Sequence, residues 1–291
     1  MEIKLKTLTP LWTGGADQTC DRVHETGIIG SLRWWYEALV RGLGGSACDP
    51  TDSKCQDREH CVACELFGCT GSKRKFRLEV HYDLQALRKR EGLRAGAELK
   101  LYLTELKPIA VEERWLLAKS IEVACKYGAI GGKKTLKPQQ NQAVGKDLGL
   151  LELKQNVAHA PLRLDQVRKF CERFRRSKTL EWPNLQWFFF VPGRCLWRKQ
   201  MNTLMGLDEK GNPLPHRTEL QLFLSGTRAS KSKTREDKSK KLFSFEKAGG
   251  RIWGYVDDGQ KLAEVKKQLH QKFDIPQQVI LDGSQLVEQW R

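Results

Sequence analysis

Five cysteines, Cys48, Cys55, Cys61, Cys64 and Cys69, fall within 22 consecutive positions of this 291-residue chain. The residues between them, Asp49-Pro-Thr-Asp-Ser-Lys and Gln56-Asp-Arg-Glu-His, are too polar to order themselves by burying apolar surface. A bound metal would supply the missing order. Cys61-Val-Ala-Cys64 has the spacing of a knuckle, in which two thiolates hold one ion and the intervening amides point at the sulfurs. Cys48 and Cys55 complete a four-thiolate site, with His60 or Cys69 as substitutes for one of the four. The expected cofactor is therefore a structural zinc held by Cys48, Cys55, Cys61 and Cys64. A closed set of four thiolates leaves no position for a reactive water, so the site is expected to stabilise rather than catalyse. The plain alternative is a flexible insert with scattered reduced thiols. The total of nine cysteines is odd and no apolar leader opens the chain, which argues against a full disulfide framework. Cys125, Cys171 and Cys195 lie in apolar or helical surroundings and are expected in the core; Cys20 is undecided.

Charge narrows the partners. Lys and Arg total 51 against 35 Asp and Glu, a formal net charge of +16. The fitting partner is a polyanion. No run reaches the roughly 18 apolar residues of a membrane span, and Phe188–Val191 is far too short. A cytoplasmic protein without membrane contact is expected. Three basic clusters stand out: Lys73-Arg74-Lys75 with Arg77; Lys126-Tyr127 running to Gly131-Gly132-Lys133-Lys134; and Arg228–Lys241, interrupted by Glu236 and Asp237. Glycines beside lysines let a backbone approach phosphates closely. Charge runs are also commonly just solvated surface. No phosphate-loop spacing of the Walker type occurs. Trp34, Trp35 and Tyr36 are consecutive, so on a helix they splay by about 100° each and only some face one core. Trp35 fits the apolar stripe Ile28, Leu32, Leu39, Leu43. Arg33 and Trp34 point elsewhere and are candidates for phosphate contact and base stacking.

Periodicity gives a mixed pattern. Strands are expected near Ile3–Leu8, Lys73–Leu84, Leu99–Leu106 and Leu148–Lys154, and helices over Gly27–Leu43, with Ser31 as a cap, and Val111–Lys126. The second half reads as a basic helix at Leu164–Arg176, a strand at Leu185–Val191, a helix at Arg194–Leu207, strands at Leu220–Gly226 and Arg251–Val256, and a helix at Lys261–Lys272. The fold class expected is α+β, with two sheet-and-helix domains at 1–155, carrying a cysteine-rich insert at 46–70, and 156–291.

Thr9-Pro-Leu-Trp-Thr-Gly-Gly, Gly30-Ser-Leu-Arg-Trp-Trp and Leu66-Phe67-Gly68 followed by the basic strand Ser72–Leu78 occur in this order. In these motifs the chain resembles the RAMP superfamily of CRISPR proteins and, within it, the subunit numbered one of the type III-B Cmr effector complex. The cysteine insert is similar to zinc sites of other type III RAMP backbone subunits. The resemblance is strong over the first 80 or so residues and looser beyond, where Gly250–Val256 is of the family style. It implies two ferredoxin-like, RRM-like units. It also implies a non-catalytic RNA-binding subunit that contacts guide RNA (crRNA) and target RNA near the guide 3′ end, beside other RAMP and Cas subunits. The residues expected to meet RNA are Arg33, Trp34, Lys73, Arg74, Lys75, Lys126, Lys133 and Lys134.

Two enzymatic alternatives come with the family. Target-cutting backbone subunits use an aspartate between the first strand and first helix, where Asp17 and Asp21 lie; a turn-forming role is the plain reading of each. A guide-processing endonuclease of the Cas-six type would need a histidine such as His24, but its glycine-rich C-terminal signature is missing. Outside the family, a generic zinc-stapled basic nucleic-acid-binding protein fits charge and cysteines alone, without needing the Leu-Arg-Trp-Trp helix.

Overall fold

The computed structural model describes residues 1–15, 19–48, 55, 60–89, 91–132, 138, 147–155, 157, 159–174, 183–226 and 241–290. It contains two compact units. The first comprises Met1–Lys134, Leu148–Leu185 and Val287–Arg291; the second comprises Thr135–Asp147 and Gln186–Leu286.

In the first unit the chain runs through β1 (Glu2–Thr7), α1 (Glu25–Gly42), α2 (Val62–Phe67), β2 (Phe76–Tyr82), a small hairpin of β3 (Leu87–Arg88) and β4 (Gly92–Leu93), β5 (Glu98–Glu105), α3 (Val111–Lys126), β6 (Leu151–Leu153) and α4 (Leu164–Arg173). The main sheet has the order β2-β5-β1-β6, and every neighbouring pair is antiparallel. Helix α1 lies between β1 and β2 in the chain and α3 between β5 and β6, which makes the unit ferredoxin-like. Strict alternation builds the sheet: Ile3, Leu5, Leu99, Leu101 and Leu103 are buried, while Lys4, Lys6, Lys100 and Tyr102 take the other face. On α1 the expected stripe Ile28, Leu32, Trp35, Leu39 and Leu43 is buried throughout. The indole Nε1 of Trp35 donates to the Ala129 carbonyl at 3.2 Å. Gly128 is required there, because a Cβ would run into the Trp35 ring. Ser31 does not cap the helix, which begins at Glu25. Instead its hydroxyl donates to the Gly27 carbonyl at 3.0 Å and accepts from the Gly131 amide at 3.0 Å.

The second unit contains β7 (Phe188–Pro192), α5 (Arg198–Leu204), α6 (Glu219–Ser225), β8 (Leu242–Phe245), β9 (Arg251–Tyr255), α7 (Gly259–Phe273) and β10 (Leu281–Asp282); α8 (Gly283–Glu288) follows near the end of the chain. Its sheet order is β10-β7-β9-β8, again antiparallel, so the same ferredoxin-like order recurs. Phe189, Val191 and Ile252 pack with Leu204, Leu220, Val265 and Leu269 in one core.

Two further expectations are corrected. Leu220–Gly226 lies in helix α6 rather than a strand. Thr218 caps it by accepting from the Gln221 amide at 3.3 Å, and Gln221 returns the bond to the Thr218 amide at 3.1 Å. Leu220 and Leu224, one turn apart, are buried while Leu222 is exposed, the period of a helix. Helix α4 lies in the first compact unit. Asp147 lies in the second unit and accepts from the Glu246 and Lys247 amides, both at 2.7 Å. Helix α5 is shorter than the expected Arg194–Leu207. Among the described residues no helix is long and apolar enough to cross a membrane.

Candidate functional site

The cysteines that dominate the sequence converge. Cys61 sits at the N-cap of α2, and its sulfur accepts from the Cys64 amide at 3.5 Å and from the Cys48 amide at 3.4 Å. The Cys48 sulfur lies 3.2 Å from that of Cys64 and 3.7 Å from that of Cys61. Cys55 completes the set, with all four ligand atoms within 4.8 Å of one another and all four residues buried. A tetrahedral zinc with bonds of about 2.3 Å places its sulfurs about 3.8 Å apart, so this spacing fits one ion. Hydrogen bonds from the Cys48 and Cys64 thiols hold the Cys61 thiol well below the ordinary thiol range, and the same bonds push its two neighbours up. A metal ion held by these four cysteines would take the place of those shared protons and would supply a cross-link. Gly68, which ends α2, has φ +80°, and a Cβ there would lie 2.7 Å from the Arg74 amide nitrogen. Glycine thus lets the chain fold back from the knuckle into β2. Cys69 is half-buried outside the set, and His60 pairs instead with Glu65 at 3.3 Å. Cys20, Cys125 and Cys171 are buried and Cys195 is half-buried.

Arg33 is drawn into this centre. Its guanidinium donates to the Cys64 sulfur at 3.1 Å, the Gly68 carbonyl at 2.7 Å and Glu37 at 2.7 Å. Burial opposes its charge, but Glu37 and Cys64 outweigh burial and raise its pKa. With these donors committed, Arg33 braces α1 against the knuckle. Burial pushes Glu37 up to about 7, against the pull of Arg41 and Arg33. Arg41 in turn donates to the Ala47 carbonyl at 2.8 Å. Arg33, Glu37 and Arg41 lie four apart on one helix face, a spacing visible in the sequence and overlooked there.

The Lys73–Arg77 cluster divides. Lys75 is turned inward between Glu65 at 2.8 Å and the fully buried Glu113 at 2.9 Å, which ties α2, β2 and α3 together. Arg74 donates from Nε to the Phe76 carbonyl at 2.9 Å and is half-buried. Lys73, Arg77 and Lys126 are exposed, and the Lys126 ammonium stands 5.1 Å from the Tyr127 ring centroid. Trp34 is half-buried, edge-on to Trp35 at 4.9 Å. Lys133 and Lys134 lie outside the described residues, as do Asp17 and the third basic cluster up to Lys240. Lys241 is buried, 4.8 Å from the Phe223 ring. Asp21 is exposed, and its Oδ1 lies 2.8 Å from His24 Nε2.

Residues 4–136 match the model of the RAMP superfamily. Over this stretch, a little under half of the chain, the protein is similar to that superfamily. The matched stretch contains β1, α1, the cysteine centre, β2, β5 and α3, so both the Leu-Arg-Trp-Trp helix and the knuckle lie within it. The crystal structure of Cmr1 from Pyrococcus furiosus in its apo form has a TM-score of 0.44 and 13% identity to the chain, over 89% of this chain and 88% of that one. At those values the likeness adds no weight to the family match. None of the curated proteins compared with the chain matches it.

Proposed function

We propose that this chain is a non-catalytic RNA-binding subunit of a type III CRISPR effector complex, held in shape by one zinc at Cys48, Cys55, Cys61 and Cys64. The match of residues 4–136 to the RAMP superfamily carries the reading. The net charge of +16 supports a polyanionic partner, and the exposed Lys73 and Lys126 are free of the buried pairing that engages Lys75. Guide RNA and target RNA are the proposed ligands, near the guide 3′ end, with other RAMP and Cas subunits as neighbours. Lys133 and Lys134 remain proposed contacts from the sequence.

The tetrathiolate centre suits a structural role because all four positions are thiolates and all four are buried. One specific contact favours a second reading, target cleavage by a loop aspartate: the Asp21–His24 pair at 2.8 Å. Filter binding tests the main reading. A guide–target RNA duplex is expected to bind more tightly than duplex DNA of equal length, because A-form geometry and the 2′-hydroxyls differ. Equal affinity would favour a generic basic protein.

A further inference from the structure

The outward face of the first sheet carries a row of basic residues, three lysines and a histidine. In the register of the sheet, Lys100 on β5 is directly opposite Lys4 on β1 on one side and His81 on β2 on the other. Lys154, just past β6, extends the row, its amide donating to the Lys4 carbonyl at 2.9 Å. Like charges set directly opposite on neighbouring strands destabilise a sheet. The side chains are open to solvent: 45% exposed for Lys4, 39% for Lys154 and 60% for His81. The next row holds Tyr102, paired with Glu79 on one side and Glu2 on the other. The Tyr102 and His81 rings meet at 4.8 Å. Carboxylates flank the lysines on both sides, with Glu2 3.8 Å from Lys4 and Glu152 3.4 Å from Lys154. The lysine row itself holds no carboxylate, whereas the row beyond it sets Lys6 opposite Glu98 and Glu152.

We propose that this face binds an unpaired ribonucleotide strand, with the backbone along Lys154, Lys4, Lys100 and His81 and a base against Tyr102. Phosphates match the charge row, and a base supplies a π-face to the ring pair, which an acidic peptide does not. The inference deepens the RNA-binding reading and rests on it. It adds a strand site on β1, β2, β5 and beyond β6, remote in sequence from Lys133 and Lys134.

The test uses the full chain and a short fluorescein-labelled oligouridylate in anisotropy titrations at several salt concentrations. Replacing Lys4, Lys100 and Lys154 together by Ala is expected to shrink the salt slope by about two units, since each single-strand phosphate contact contributes about 0.7. These lysines stand on the solvent face, so the melting temperature serves as a check that the variant is folded. Tyr102→Ala is expected to weaken binding about tenfold with the slope unchanged, as loss of one stacked base requires. Poly-glutamate is expected to compete poorly. An unchanged slope in the lysine variant, with wild-type binding intact and lost in a Lys73→Ala, Lys126→Ala double variant, overturns the sheet site and leaves the RNA reading standing. Lysine dependence without Tyr102 dependence, or full competition by poly-glutamate, overturns the strand in favour of an acidic protein. A wild-type chain that ignores the oligonucleotide overturns both.

Discussion

The two sheets share one strand order and differ in the face turned away from their packed helices. In the first, that face carries Lys4, Lys100, His81, Arg77 and Tyr102, solvated and mostly charged. In the second, Phe188, Phe190, Phe243, Phe245, Trp253 and Tyr255 occupy it, none more than 7% exposed. Phe243 and Trp253 stack at 4.0 Å, and Phe188 and Tyr255 at 5.2 Å. A shared topology therefore says nothing about which face is free to meet a ligand; the residue at each outward position decides that. The two units also differ in what holds them. The first adds a cluster of four buried cysteines and an ion-pair set of Lys75 with Glu65 and the buried Glu113, while the second rests on aromatic area.

The largest expected effect breaks the first unit alone. One zinc per chain should be found by metal analysis, and stripping it with a strong chelator should open the amides around α2 to hydrogen exchange while β7–β9 stay protected. A chain that is metal-free yet protected throughout would remove the cysteine centre from the account. On the order of 10 kcal/mol of apparent binding energy is at stake in a structural zinc site. The mirror experiment strikes the second sheet. Trp253→Ala should cost about 3–5 kcal/mol in denaturant titration, against under about 1 kcal/mol for the solvated Tyr102→Ala. Similar costs for the two would mean that both faces are covered.

A smaller effect separates neighbours within one basic run. Lys75→Ala strands the buried Glu113 and should cost about 3 kcal/mol, whereas the exposed Lys73→Ala should be within about 0.5 kcal/mol of wild type while weakening RNA binding. Smaller still, Lys133→Ala with Lys134→Ala should lower the salt slope of RNA binding by up to about two units at unchanged stability. The smallest is none: Asp21→Ala should leave target cleavage by an assembled complex intact, and loss of a cut would promote the second reading.

Much of this was legible in the chain itself. Alternation in β1 and β5 and the Ile28–Leu43 stripe mark their elements because a buried face imposes its period on the sequence. The cysteine set is legible because thiols at knuckle spacing, in surroundings too polar to form a core, have little to hold them together but a metal. Three things were hidden. Leu220–Gly226 carries apolar residues at both strand and helix spacing, and its cap at Thr218 settled the matter. Arg33 and Lys75 read as surface cations, because a sequence does not show which carboxylates wait inside; Glu37 was one turn away, but Glu113 lies in a distant helix. The row Lys154, Lys4, Lys100 and His81 comes from four separate segments, and only strand register brings it together.

The central claim is that the chain works as one RNA-holding piece of a CRISPR effector. Purification from its native host tests it most directly. Short guide RNAs of uniform repeat origin and further RAMP subunits should accompany the protein through washes at physiological salt. A chain recovered alone, carrying neither, would contradict the account.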